Sequence, residues 1–174
     1  MPRLILFSGG VESTALVTMA DKADVLLTSE LPFKTYKAGY DLERCKAIAK
    51  IRGHRLVTFH CEMRLDRAKW MHQLNWLLMA ANLFVNAEDG FDEVWIGLQP
   101  QYVKEEYKQA LYERMFAMWD ALCPGVKLSA PLRHLTKKMQ WDLIPEDLRP
   151  LVNSCLLSND CGQCRKCLEF RSVL

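Results

Sequence analysis

Four short runs rich in Leu, Val and Ile, separated by stretches with apolar residues at three- and four-residue spacing, limit this chain to very few folds. The runs are RLILF (3–7), ADVLLTS (23–29), HRLVTFH (54–60) and DEVWIGL (92–98), with a weaker fifth in VKLSAP (126–131). Near-continuous apolar runs of this length are what strands buried on both faces look like. The intervening VESTALVTMADK (11–22), DLERCKAIAKIRG (41–53), LDRAKWMHQLNWLLMAANLFVNAEDG (65–90) and KEEYKQALYERMFAMWDAL (104–122) carry the helical period. Gly53 and Gly90 stand where helix C-terminal caps belong. Strands that alternate with helices join through right-handed crossovers and form a parallel sheet covered on both faces. The expected fold is a doubly wound α/β parallel sheet.

Length allows one such unit and little else. At 174 residues with 50% hydrophobic content, the chain buries one substantial core. The only plausible boundary is PEDLRP (145–150), which divides a main domain at 1–150 from a C-terminal segment at 151–174. The apolar stretch at 74–85 is interrupted by Asn75 and Asn82, well short of the roughly 20 apolar residues a membrane span needs. The chain enters RLILF without the apolar segment and small-residue cleavage site of a secretory signal, so a soluble, cytoplasmic protein is expected. A net charge of +2, from 23 basic and 21 acidic residues, is no strong nucleic-acid footprint.

The first strand runs directly into LFSGGVEST (6–14). In doubly wound sheets ligands bind beyond the carboxyl ends of the strands, and a glycine turn feeding a helix N-terminus offers backbone N–H groups to an anion. Gly9 and Gly10 permit close approach or positive φ, while Ser8, Ser13 and Thr14 supply hydroxyls. A plain capped turn uses the same residue types. The place of the loop in the first strand-to-helix turn favours phosphate. It has neither the GKS/GKT of a Walker A loop nor the third glycine of a dinucleotide fingerprint.

A second constellation, CLLSNDCGQCRKC, sets Cys155, Cys161, Cys164 and Cys167 in a C-x5-C-x2-C-x2-C array. Four thiolates close a tetrahedral structural zinc site, with Gly162 easing the backbone between ligands. Disulfides are disfavoured in a reducing compartment, and an iron–sulfur cluster is also compatible with the spacing. Zinc is the expectation, because no proline follows the last cysteine. The neighbouring Arg165, Lys166 and Arg171 read as a solvated face, and Cys45 as a structural residue on an apolar helix face. The four histidines are too dispersed to suggest a metal site, and the five tryptophans read as core, although Trp76 beside Asn75 is placed to stack on a base.

The loop resembles the SGG-x-D-S loop of the PP-loop ATP pyrophosphatases, with Ser8, Gly9, Gly10 and Ser13 matching and Glu12 in place of aspartate. With the four-cysteine end, the chain resembles the 7-cyano-7-deazaguanine synthase family over essentially its whole length. APLRHLTKKMQWDLIP (130–145) is similar to that family's proline-leucine, threonine-lysine segment, and EVWIGLQPQ (93–101) to the strand bearing its G-[VL]-[NQ] turn. The resemblance implies ATP-dependent conversion of 7-carboxy-7-deazaguanine and ammonia to the nitrile through an adenylate, with magnesium and zinc. It implies nucleotide binding by Phe7, Ser8, Gly9, Gly10, Val11, Glu12, Ser13, Thr14 and Thr28, with Glu12 near the magnesium. Lys137, after Thr136 at an expected helix start, would meet the α-phosphate, although a solvated lysine beside Lys138 is the competing reading. Asn75, Gln99 and Tyr102 would meet the deazapurine, and a homodimer is the family's expectation.

The substrate end departs from the family. Its P-x-R-N segment is reduced to Asn75, with His72 and Leu74 at the other positions, and ELPFKTYKAGY (30–40) lacks its tyrosine-glycine-glutamine cluster. No clear counterpart of the aspartate after the G-[VL]-[NQ] strand stands near Gln101 and Tyr102. A PP-loop adenylating enzyme that acts on a different carboxylate or couples a deazapurine to a partner, or a non-catalytic zinc-stabilised nucleotide-binding protein, fits the same residues.

Overall fold

A computed structural model describes residues 1–30, 42–60, 73–88, 90–98, 106–153 and 161–171, with backbone alone at 30, 73–77, 106–109, 111, 165–166 and 169. Five strands, β1 (Leu4–Leu6), β2 (Val25–Glu30), β3 (Arg55–His60), β4 (Glu93–Trp95) and β5 (Lys127–Ser129), form one sheet in the order β3-β2-β1-β4-β5. All four pairings are parallel, with Ile5 beside both Leu26 and Trp95. The helices are α1 (Val11–Met19), α2 (Leu42–Arg52), α3 (Gln73–Ala87), α4 (Glu106–Leu122), α5 (Lys137–Asp142) and α6 (Arg165–Arg171), and a 3-10 turn covers Arg149–Leu151. This is the doubly wound arrangement expected from the alternating pattern.

Period-two alternation along β1 explains why both faces are covered. Ile5 and Phe7 point into one core with Ala15 and Leu16 of α1, Cys45 and Ile48 of α2, and Trp141 and Ile144. Leu4 and Leu6 point into the other with Leu78 and Ala81 of α3, Met115 and Trp119 of α4, and Leu128 of β5. Helices α1 and α2 thus lie on one face and α3 and α4 on the other. The chain changes direction of travel across the sheet between β1 and β4. A crevice opens beyond the carboxyl ends of the strands at such a switch point.

Element ends differ from the sequence pattern in instructive ways. The apolar run at 92–98 is strand only over Glu93–Trp95, although Ile96 N–H still donates to Ser129 O at 2.9 Å. Beyond Ile96 the chain turns at Gly97 against the start of α1. The periodic stretch at 65–90 is helical over Gln73–Ala87, and 65–72 lie outside the described residues. Gly53 closes α2 as expected: its φ is +74°, and its N–H and that of His54 cap the carbonyls of Lys50 and Ala49. Gly90, with φ +107°, follows α3. Beyond position 150 the chain keeps packing on the first core, through Val152 and Phe170. No helix among the described residues is long and apolar enough to cross a membrane.

Candidate functional site

The loop after β1 is folded by its own serines. Ser8 N–H donates to Ser13 Oγ at 3.2 Å, the two hydroxyl oxygens are 3.1 Å apart, and Ser13 Oγ donates to Gly10 O at 3.3 Å. Their hydroxyls brace the turn. Gly9 alone of the two glycines is left-handed, at φ +71°, and a Cβ there would lie 3.0 Å from Cys45 Sγ of α2. Gly10 is extended and serves as the N-cap of α1, without a side-chain cap. Thr14 N–H closes the first turn of α1 on Gly10 O at 2.9 Å. Thr14 Oγ1 is buried with no hydrogen-bond partner among the described residues.

Glu12 and Lys137 meet over this loop. Thr136 caps α5 by accepting a hydrogen bond from Met139 N–H at 3.2 Å, and the first helical residue, Lys137, is 7% exposed. Lys138, one position on, is exposed and paired with Asp142 at 2.6 Å. The solvated-lysine reading therefore belongs to Lys138, and Lys137 Nζ lies 3.9 Å from Glu12 Oε1. That separation is an ion pair but longer than a hydrogen bond. Glu12 Oε1 is buried without a hydrogen bond among the described residues. A carboxylate and an ammonium held this way at a helix N-terminus suit a ligand carrying both phosphate charge and a cation.

Two long-range contacts made by the fold surround the loop. Gly97, just after β4, abuts the start of α1: a Cβ on it would lie 2.8 Å from Glu12 Cβ, 3.0 Å from Glu12 C and 3.1 Å from Ser13 N. Only glycine lets the β4 end approach the loop so closely. Gln140, fully buried, reaches from α5 with Nε2 toward the carbonyls of Leu98 (3.3 Å), Leu132 (2.9 Å) and Leu135 (3.1 Å). It fixes the backbone immediately before Gln99.

The other expected nucleotide-site residues have distinct placements. Thr28 Oγ1 donates to Phe7 O at 2.7 Å, anchoring the loop's entry from β2. The next residue, Ser29, has a buried Oγ without a partner among the described residues and is the hydroxyl at the β2 end that sequence reasoning missed. Phe7 and Val11 are fully buried beneath the loop. Asn75 lies on the described backbone of α3, whereas Gln99 and Tyr102 fall outside the described residues.

At the C-terminal end, Cys161, Cys164 and Cys167 bring their sulfurs within 4.8 Å of one another, with Cys161 Sγ and Cys167 Sγ 3.9 Å apart. Cys164 N–H points at Cys161 Sγ (3.4 Å) and Cys167 N–H at Cys164 Sγ (3.5 Å). Amide donors of this kind stabilise thiolates and orient metal ligands. The set can hold a metal ion; Cys155 lies outside the described residues. The guanidinium of Arg171 lies over Gly162, where a Cβ would come within 3.1 Å of Arg171 Cζ. Trp95, Trp119 and Trp141 are core residues and Cys45 is fully buried, as the helical spacing implied.

No protein-family model and no curated protein matches the chain. Among solved structures, the U34-tRNA thiolase NcsA from Methanococcus maripaludis, seen with its [4Fe-4S] cluster, matches over 99% of this chain with a TM-score of 0.56 and 19% identity. The chain spans 62% of that protein's length. At this identity the likeness establishes a shared α/β fold alone.

Proposed function

We propose that the chain is an ATP-dependent adenylating enzyme whose loop at residues 8–14 binds the pyrophosphate end of ATP. The single observation carrying this reading is the Glu12–Lys137 pair over the N-terminus of α1, at the switch point of the sheet. In adenylation an acceptor oxygen attacks the α-phosphorus and pyrophosphate leaves, so catalysis is chiefly positioning and neutralisation of phosphate charge. The braced serines and the N-terminal end of α1 would hold the leaving pyrophosphate. Lys137 would neutralise charge on the reacting phosphate, and Glu12, released from it, would face the magnesium that accompanies ATP. Magnesium takes oxygen ligands, and Glu12, with its Oε1 buried, would be the residue to hold it.

For the acceptor, the residues that resemble 7-cyano-7-deazaguanine synthases support 7-carboxy-7-deazaguanine, with ammonia as nucleophile and the nitrile as product. A carboxylate is a poor electrophile; adenylation supplies the leaving group that ammonia displaces to give the amide, and a second adenylation, on the amide oxygen, lets that oxygen leave with AMP as the nitrile forms. The buried Gln140, which fixes the backbone before Gln99, is consistent with a substrate contact at that turn. A different acceptor is the second reading. It is favoured by Asn75 being the one residue left of the family's P-x-R-N segment, and by the likeness to a protein that acts on tRNA.

The cysteines fit a single zinc ion. Zinc–sulfur bonds of about 2.3 Å in a tetrahedron place sulfurs about 3.8 Å apart, and the Cys161–Cys167 separation is 3.9 Å. A cubane cluster, with each thiolate on its own iron, spreads them to roughly 6 Å. Cys161, Cys164 and Cys167 would be three ligands and Cys155 the fourth, and the ion would supply structural cross-linking. Incubation of purified protein with ATP, magnesium, ammonium and 7-carboxy-7-deazaguanine tests the reaction. AMP with nitrile supports the first acceptor, AMP without nitrile the second, and neither product from protein that retains zinc leaves only a binding role.

A further inference from the structure

We propose that metal binding at the cysteine knuckle sets the geometry of the nucleotide loop, with Phe170 as the positioning residue between the two sites. The inference rests on the reading of residues 8–14 as a nucleotide loop. Cys167 is a candidate ligand on α6, and Phe170 follows it by three positions, close to one turn of the same helix. The Phe170 ring packs edge-on against Trp141, with centroids 4.7 Å apart and planes at 80°. Trp141 lies one turn after Lys137 on α5 and belongs to the core that contains Phe7 and Val11. An ion gripping Cys164 and Cys167 would therefore fix α6, α6 would fix Trp141 through Phe170, and α5 would hold Lys137 over Glu12.

A second connection runs through the backbone. Val152 packs in that same core, and Asn153 N–H donates to the carbonyl of Gly9 at 2.9 Å. Gly9 is the left-handed residue of the loop, so this bond fixes the orientation of the peptide unit that begins the anion cradle. The segment leading to the knuckle is thereby tied to the loop itself. Both connections end at residues that a nucleotide would touch, one at the ammonium of Lys137 and one at the Gly9 peptide.

Coupling of this kind is reciprocal: if the metal strengthens nucleotide binding by some factor, nucleotide strengthens metal binding by the same factor. The experiment is calorimetric titration of a non-hydrolysable ATP analogue with magnesium into zinc-loaded protein, chelator-stripped protein and zinc-loaded Phe170→Ala and Phe170→Tyr variants. Stripping is expected to weaken binding about tenfold, within the usual range of site-to-site coupling. Zinc-loaded Phe170→Ala should reproduce most of that loss with its zinc still in place, and Phe170→Tyr should restore affinity. In the reverse direction, saturating analogue should strengthen zinc retention against a competing chelator about tenfold in the parent protein and much less in Phe170→Ala. Equal nucleotide affinity in loaded and stripped protein, or in loaded parent and loaded Phe170→Ala, overturns the coupling while leaving the nucleotide reading intact. Should stripped protein unfold, the loaded Phe170→Ala comparison decides alone. No binding by zinc-loaded parent protein overturns both.

Discussion

Replacing Gly97 by alanine adds one carbon at the point where β4 meets the nucleotide loop. That carbon would lie 2.8 Å from Glu12 Cβ, 3.0 Å from Glu12 C and 3.1 Å from Ser13 N. Two of these three atoms are backbone of the first turn of α1, which cannot swing aside as a side-chain tip can. Carbon atoms rest at about 3.5–4.0 Å, so the two segments must separate by several tenths of an ångström. Overpacking of this size costs about 1–3 kcal/mol. For a chain of this length that corresponds to a fall in melting temperature of roughly 2–12 °C, by the usual 2–4 °C per kcal/mol. Gly97 is not in the left-handed region, so the cost is steric alone. The same displacement moves Glu12 and Ser13, so nucleotide affinity should fall by more than the stability loss alone would cause. Leu128→Ala is the control. It opens a cavity in the opposite core at a cost of about 2–5 kcal/mol and touches nothing in the loop. Thermal melts and titration of an ATP analogue should show both variants destabilised and only Gly97→Ala impaired in binding. Equal nucleotide affinity in Gly97→Ala and the parent protein would refute the argument that this contact shapes the site.

The other expectations concern single groups. Lys137→Met should fold, because methionine fills the same buried space, and should lower the adenylation rate by about 10²-fold, as removal of one preorganised charge-stabilising group does; steady-state release of AMP measures it. Glu12→Asp should retain or raise AMP formation and Glu12→Gln should abolish it, with magnesium titrations checking that the loss is metal-linked. Burial pushes the Asp24 carboxyl up, but hydrogen bonds from Arg3 and from backbone N–H groups outweigh it and hold the carboxyl below its ordinary value. The folded protein thus binds fewer protons than the unfolded chain in the acid range. The stability from this pair is complete above the unfolded pKa and lost as pH falls through the depressed native one; Asp24→Asn should flatten that acid limb below about pH 4 in denaturant titrations. Elemental analysis should find one zinc per chain, with no visible absorption of an iron–sulfur chromophore.

The sheet was largely legible because its signal is periodic. Apolar runs of strand length and helices of regular spacing impose crossovers, and the crossovers impose a parallel sheet with its switch point beside the first loop. The start of α5 at Lys137 was legible too, since Thr136 is an ordinary N-cap. What the sequence could not display were contacts made by the sheet order itself. Gly97 touches Glu12 because β4 lies beside β1, a neighbour relation between residues 85 positions apart, not a local pattern. Only the fold of residues 98 and 132–135 around Gln140 shows that its amide reaches three carbonyls. Strand register decides between adjacent hydroxyls, turning Thr28 to Phe7 O and leaving Ser29 Oγ without a hydrogen bond among the described residues. Burial likewise separates Lys137 from Lys138, which sequence alone leaves equivalent.

The central claim is cleavage of ATP between its α- and β-phosphates in the loop that begins at Ser8. Product analysis of ATP labelled at the α-phosphate, incubated with magnesium, ammonium and 7-carboxy-7-deazaguanine, tests it most directly. Label appearing in AMP with equimolar pyrophosphate, and lost in Lys137→Met, is the predicted result. Label recovered in ADP, or in unchanged ATP with fully folded, zinc-loaded protein, would contradict it.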